Sequence, residues 1–247
     1  MDFTFGIITD GSYDDYIKEI IKSIENNKIP IYEIIIVGNT KIEPTDHIKT
    51  ISFDDSIKQE WITRKKNIVV ENAQYENIVL LHDYVKLNDD WYEGFLKFGT
   101  DYDWCITPIQ NLDGSRYRDY TLFPHTVDHL NIHYSCGDVD DYFNYSCLLP
   151  YDFVNNIKTN KYMYISGTYY VIKRSVALKY KLDEQFIRCE SEDVEYTKRL
   201  HANGIIIKCN QWSSVSFLKY KGPVYWENVI SNEKIEYFIN YCNNLPE

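Results

Sequence analysis

The chain has 247 residues, 44% hydrophobic and 26% charged, which is ordinary for a globular protein and enough for one sizeable core. Its 37 acidic residues against 26 basic ones leave a net charge of −11, which excludes broad nucleic-acid binding. Any anionic ligand must therefore be met by a local cationic cluster or a metal. Cys105, Cys136, Cys147, Cys189, Cys209 and Cys242 are scattered without a C-x-x-C pair, which fits free thiols in a reducing compartment. Asp2 to Phe5 open the chain without a basic and apolar leader, and no apolar run approaches spanning length. The expectation is a cytoplasmic protein with no membrane span.

Phe3 to Thr9 (FTFGIIT) predicts a buried first strand, closed by Asp10-Gly11. Ser12 is placed to cap a helix whose Ile17, Ile20, Ile21 and Ile24 recur at i, i+3, i+4 and i+7, and Asn26-Asn27 with Pro30 end it. Glu33 to Val37 (EIIIV) reads as a second strand covered on both faces, followed by Gly38-Asn39-Thr40. Strand, helix and strand make a right-handed βαβ unit with ligand-capable loops at the strands' C-terminal ends. No G-x-G-x-x-G follows the first strand, so a dinucleotide-binding Rossmann domain is disfavoured. Ile48 to Phe53 predicts a short third strand. Trp61 to Asn67 is a basic island that enters a helix through Ala73, and its Arg64 to Lys66 also read as a solvated helix face. Asn77 to Tyr84 predicts the next strand, ending in His82-Asp83-Tyr84. Asp89-Asp90-Trp91 opens a further helix, and Asp103 to Thr107 a further strand.

From Pro108 to about Asn160 the periodicity fades. His125, His129 and His133 are spaced by four, as metal ligands on one helix face would be, but Pro124 and a loop-like composition argue against such a site. Tyr117, Tyr120, Tyr134, Tyr142, Phe143 and Tyr145 can offer rings to a sugar or simply pack the loop. The stretch from Tyr164 to Gly204 says most. A strand turns at Ser166-Gly167 and resumes through Ile172, and Ser175 is placed to cap a short helix. A second helix then carries Glu190, Glu192, Asp193 and Glu195 in its first turns and ends before Gly204, suited to a left-handed cap. Four carboxylates at a helix start also suit the macrodipole alone. Ile205 to Cys209 and Trp212 to Phe217 predict two more strands. A final helix from about Asn232 to Asn243 presents Ile235, Phe238, Ile239 and Cys242 on one face.

The order of these pieces resembles inverting, family 2-like glycosyltransferases with the A-type (GT-A) nucleotide-sugar-binding fold. A small-residue turn and strand lead to Lys173-Arg174, a short helix, Leu182-Asp183-Glu184-Gln185-Phe186, the Glu192-Asp193 pair and Lys198-Arg199-Leu200. Arg64 and Asn67 match that family's R-x-x-N helix. Two departures stand out: Leu182 replaces a frequent aromatic residue, and His82-Asp83-Tyr84 stands where a D-x-D-type motif is usual.

The resemblance implies an α/β fold with a mostly parallel central sheet flanked by helices, Rossmann-like, with an irregular acceptor-side insertion. It implies one domain over 1–247, divided into a nucleotide-sugar half at 1–107, an acceptor-side region at 108–162 and a catalytic half at 163–247. The donor would be a nucleoside-diphosphate sugar, most often of uridine diphosphate (UDP), and the acceptor a hydroxyl on a glycan or protein. Asp193 would be the general base, with Glu192 beside it. Thr9, Asp10, Gly11, Gly38 and Asn39 would hold the base and ribose, although Gly11 and Gly38 also answer to turn chemistry. Asp83 and His82 are the candidate ligands for Mn²⁺ or Mg²⁺ on the diphosphate. Relatives often add a late histidine, yet none follows His201 here, so Lys219 and Lys221 are candidates to meet the diphosphate, with Arg64 assisting. A homo-oligomer is left open. A sugar nucleotidyltransferase is disfavoured because Thr9 to Asp15 lacks a Gly-rich basic loop. A catalytically silent carbohydrate- or nucleotide-sugar-binding relative and a structural virion or surface protein stay as alternatives.

Overall fold

The computed structural model describes residues 1–122, 151–154 and 160–221. His125, His129, His133, Tyr134, Tyr142, Phe143, Tyr145 and the helix expected at Asn232 to Asn243 lie outside the described residues.

The centre is a seven-stranded sheet in the order β12-β6-β11-β4-β1-β2-β3. Its strands are β1 (Asp2–Ile8), β2 (Ile31–Val37), β3 (Ile48–Ile51), β4 (Asn77–His82), β6 (Trp104–Ile106), β11 (Tyr169–Lys173) and β12 (Ile207–Cys209). Neighbours run parallel except at β11, which is antiparallel to both β4 and β6. Because side chains alternate across a strand, each strand feeds two cores. Phe3, Phe5 and Ile7 of β1, Val79 and Leu81 of β4, and Tyr169 and Val171 of β11 face one way. There they meet Ile17, Ile20 and Ile24 of α1 (Asp14–Asn26) and Trp91 and Phe95 of α3 (Trp91–Phe98). Ile78 and Leu80, with Tyr170 and Ile172, face the other way onto Val69 and Val70 of α2 (Ile62–Asn72) and Tyr196 and Leu200 of α6 (Glu192–Ala202). Full burial of each such aliphatic or aromatic side chain is worth about 1.5–3 kcal/mol. The near-continuous apolar runs read from the sequence are thus strands covered on both faces.

Around this core lie a four-stranded sheet, β5-β13-β7-β8, and a two-stranded one, β9-β10. Their strands are β5 (Val85–Leu87), β7 (Ile109–Gln110), β8 (Arg116–Tyr117), β9 (Tyr120–Leu122), β10 (Met163–Ile165) and β13 (Val215–Phe217). The stretch after Pro108 therefore carries short strands where periodicity alone predicts none, because two- and three-residue strands are too brief to show alternation. Antiparallel pairing of Leu122 with Met163 and of Tyr120 with Ile165 closes the chain on either side of the intervening segment.

Local capping differs from expectation at two places. Ser12 does not cap α1: Tyr13 precedes the first turn, and the Ser12 N–H donates to Asp10 Oδ1 at 2.8 Å in a local turn. Ser175 sits inside α5 (Arg174–Lys179), after α4 (Tyr151–Val154), and its hydroxyl donates to Glu76 Oε1 at 2.5 Å. Glu190 lies before α6, not in it. Gly204 does adopt the left-handed conformation expected past the end of α6, with φ +78°.

Candidate active site

The parallel strands β1, β2 and β4 end together, with Ile8 registered to both Val37 and His82. Their C-terminal loops therefore meet at one edge, the usual place for a ligand in such sheets. The Thr9 hydroxyl donates to Asp83 Oδ2 at 2.6 Å and itself accepts the Gly11 N–H at 3.0 Å. Gly11 and Gly38 are backbone requirements of this crossing. Their φ values are +93° and +139°, and a Cβ on Gly38 would lie 2.1 Å from the Thr9 carbonyl oxygen. Asn39 is exposed beside them, and its carbonyl oxygen would be 2.2 Å from a Cβ on Gly11.

The antiparallel β11 brings a different segment to the same edge. Because it runs against β4, its start is level with the end of β4, and the His82 N–H donates to the Thr168 carbonyl at 3.1 Å. Gly167 then faces the first turn of α6, where its N–H donates to Asp193 Oδ2 at 3.0 Å. Asp193 Oδ1 accepts the Val194 N–H at 2.9 Å, so the carboxylate sits on a helix N-terminus that favours its charge. The chain reaches α6 through two non-glycine residues in the left-handed region, Cys189 (φ 66°) and Ser191 (φ 63°). Such conformations cost about 1–3 kcal/mol each and cluster at functional sites.

Beneath the acidic pair lies Lys66, fully buried on α2, its Nζ donating to the Gly167 carbonyl at 2.7 Å. Burial lowers the Lys66 pKa, while Glu192 and Asp193 work to raise it. Glu192, 8% exposed, has its carboxyl pushed above the usual range by burial, with Lys66 opposing and Asp193 adding to the rise. Arg118, half-buried, lies near both carboxylates and reaches the Tyr164 hydroxyl at 3.4 Å.

Two adjoining cavities share Ile62, His82, Tyr84 and Arg188. The larger, about 450 Å³, is lined by Thr9, Asp10, Tyr13, Lys65, Asp83 and Lys219 among others. The smaller, about 210 Å³, is lined by Arg118, Tyr164, Gly167, Glu192, Asp193 and Lys221 among others. His82 stands at their seam, its imidazole held well below its usual pKa by burial first and by Lys66, Lys221, Arg188 and Lys219 in addition.

Of the residues singled out from sequence, Thr9, Asp10, His82, Asp83, Lys219, Glu192, Asp193 and Lys221 thus border one continuous cleft. Arg64 and Asn67 line neither cavity. Arg64 Nη1 bonds Glu184 Oε1 at 3.0 Å and Glu71 Oε1 at 3.2 Å, while Asn67 donates to the Leu182 carbonyl at 2.9 Å and accepts the Leu182 N–H at 3.0 Å. Both tie α2 to the segment before α6. Arg64→Ala is accordingly expected to lower stability by roughly 0.5–1 kcal/mol, since the pair is about a third exposed, and to leave nucleotide affinity unchanged. Urea denaturation beside a UDP titration checks both halves; a ten-fold loss of UDP affinity would return Arg64 to the site.

Arg118, Arg188, Tyr13 and the burial of Lys66 are the site features that the sequence does not single out. Their one common signal is a basic or aromatic residue beside an acidic or strand-ending motif in an acidic chain.

The metal expectation can be tested on the donors present. Asp83 Oδ2 is already bonded to Thr9, and His82 Nε2 is buried without a partner. Asp10, on the same cavity, accepts the Ser12 N–H. No three His, Cys, Asp or Glu side chains converge on a metal position among the described residues. Two engaged carboxylates, Asp83 and Asp10, and one buried imidazole do not fit a resident Mg²⁺ or Mn²⁺, which takes about six ligands, mostly oxygen.

No protein-family profile matches the chain, and no curated protein does. Solved structures do. GalNAc-T7 crystallised with UDP, GalNAc and Mn²⁺ superposes with a TM-score of 0.61 at 11% identity, covering 98% of this chain and 48% of its own. S. aureus TarS 1–349 in complex with UDP-GlcNAc gives 0.56 at 12% identity, covering 98% of this chain and 65% of its own. TarS 1–349 in complex with UDP gives 0.55, covering 87% and 60%. The chain therefore spans less than two thirds of the length of these structures. Together with the seven-stranded, mostly parallel sheet, the likeness establishes the GT-A glycosyltransferase fold. No helix among the described residues is long and apolar enough to cross a membrane.

Proposed function

We propose that the protein is a glycosyltransferase that moves a sugar from a UDP-sugar to a hydroxyl of a glycan or protein with inversion at the anomeric carbon. The observation that carries this reading is the placement of Asp193 on the smaller cavity, across a shared wall from the larger one bordered by Thr9, Asp10 and Asp83. The larger cavity suits the nucleotide, with Tyr13 and the β1 loop against the base and ribose. The smaller suits the transferred sugar and its acceptor. Asp193 takes the proton of the acceptor hydroxyl as that oxygen bonds to the anomeric carbon, and the bond from that carbon to the diphosphate breaks with its electrons leaving on UDP. The carboxylate becomes basic enough only as the proton is lost in the transition state, so placement matters more than a shifted pKa. Gly167 and the α6 N-terminus provide that placement.

The test is UDP release from a panel of UDP-sugars over a glycan and peptide acceptor array. Release that depends on one donor and one acceptor class is the expected result. Binding without turnover on any acceptor would favour the silent nucleotide-sugar-binding alternative, which the altered His82-Asp83-Tyr84 strand end encourages. Absence of all UDP-sugar binding would sink both.

A further inference from the structure

We propose that the donor's diphosphate is held by Lys219, Lys221 and Arg188 around the Tyr84 ring, in place of a divalent cation. This deepens the donor-site reading above and rests on it.

Three observations carry it. First, in a chain of net charge −11 the cations gather at one point. Lys219 Nζ lies 4.1 Å from the Tyr84 ring centroid and 4.4 Å from that of Tyr13, clamped between two rings. Lys221 Nζ lies 4.6 Å from the Tyr84 centroid and donates to the Tyr84 hydroxyl at 2.9 Å. Arg188 borders both cavities where they share Tyr84.

Second, neither lysine makes an ion pair among the described residues, although acidic side chains outnumber basic ones. Among the described residues Arg188 pairs only with Glu60, at 3.2 Å, both about half exposed. A half-buried ammonium with no direct ion pair is unfavourable, and an incoming diphosphate supplies a close anionic partner. By contrast, Lys65 on the same cavity is engaged with Asp55 and the Thr9 carbonyl and is not free to serve.

Third, the carboxylates on the larger cavity, Asp10, Asp55, Glu60 and Asp83, are all engaged, Asp10 by the Ser12 N–H, Asp55 by Lys65 and Glu60 by Arg188. Asp83 accepts from Thr9, and its neighbours on the larger cavity include Lys219 and Lys65, cations that oppose a divalent ion there. The tyrosine that ends the His82-Asp83-Tyr84 run has the opposite use. Its electron-rich face holds two ammonium groups at the height where the diphosphate must cross from one cavity to the other. In the reaction the three cations would neutralise the charge gathering on the departing UDP, while the proton goes to Asp193.

Isothermal calorimetric titrations with UDP and with uridine, each in EDTA and in Mn²⁺ at fixed ionic strength, test this. UDP affinity should agree within about two-fold between EDTA and Mn²⁺. The variant K219Q/K221Q should weaken UDP about ten- to a hundred-fold, as expected for lost charge-assisted bonds, and leave uridine unchanged. K219R/K221R should retain most of the UDP affinity, and thermal melts check that each variant is folded. UDP binding that collapses in EDTA would overturn the proposal while the donor-site reading survives. UDP bound no better than uridine would likewise overturn it, since no diphosphate contact would exist. Binding of neither ligand would overturn the donor-site reading itself.

Discussion

Asp193→Asn is expected to lower turnover about 10²- to 10⁴-fold, the span typical for removing a general base, with UDP affinity unchanged. Asparagine keeps the shape of the side chain and an oxygen that can accept the Gly167 N–H at the 3.0 Å seen for Asp193. It cannot take a proton. The affinity half follows from position, because Asp193 borders the smaller cavity and not the larger. Glu192→Gln is the comparator. Glu192 is nearly buried and its carboxyl is pushed up by burial, so it is the poorer candidate and should cost less than ten-fold. Steady-state rates of UDP release for both variants decide the matter. Wild-type turnover in the asparagine variant would remove Asp193 from the chemistry; the larger loss in the glutamine variant would exchange the two roles.

Lys66→Met should destabilise the fold by about 1–3 kcal/mol near pH 8 and by clearly less at pH 5, because it leaves the Gly167 carbonyl without its donor and strips buried Glu192 of one of the two cations that oppose its rise, Arg118 being the other. The sign follows from Glu192. Burial raises its folded-state pKa, so the native protein holds this proton more tightly than the unfolded chain does. That contribution is fully present below the unfolded pKa of about 4.3 and is lost as pH rises through the folded value. Lys66 opposes the rise, so its removal moves the folded value further up and widens the window of loss. Methionine fills the stem's volume, which keeps a cavity from confusing the result. Urea denaturation of the variant and of Lys66→Met/Glu192→Gln from pH 5 to 8 is the measurement. The double variant should recover most of the loss at pH 8, a coupling that a purely steric effect of methionine would not show.

The βαβ opening is legible in the sequence because its signals are local: the isoleucine spacing of α1 needs one partner surface and the apolar run of β2 needs two, and each has them. Likewise the Ser166-Gly167 turn and the acidic start of α6 can be read from residue order. That Gly167 meets Asp193 cannot, because it depends on β11 running against β4. Lys66 misleads for a similar reason. In Arg64-Lys65-Lys66 it reads as one of three solvated cations, yet the α2 face that carries it turns under the Gly167 loop. Arg64, whose motif match points to the ligand, instead holds Glu71 and Glu184. A basic run says that charge is present; only the packing says which charge is inside.

The pairing of β9 with β10 has a consequence for how such a scaffold can diversify. Three registered residue pairs, from Tyr120–Ile165 to Leu122–Met163, clamp the two ends of the segment between them just before Ser166. The Ser166 N–H is also fixed to the Asp119 carbonyl, at 2.9 Å. Tyr151 donates to Asp119 Oδ2 at 2.6 Å, Val154 lies in the core and Asn160 bonds Ile207, so the interchangeable stretch lies between Leu122 and Tyr151; whatever its length, the chain returns to Gly167 in the same register. Closure entropy grows only logarithmically, about 0.6 kcal/mol for each doubling of length. A different stretch grafted between Leu122 and Tyr151 would therefore leave Asp193 and its support where they are.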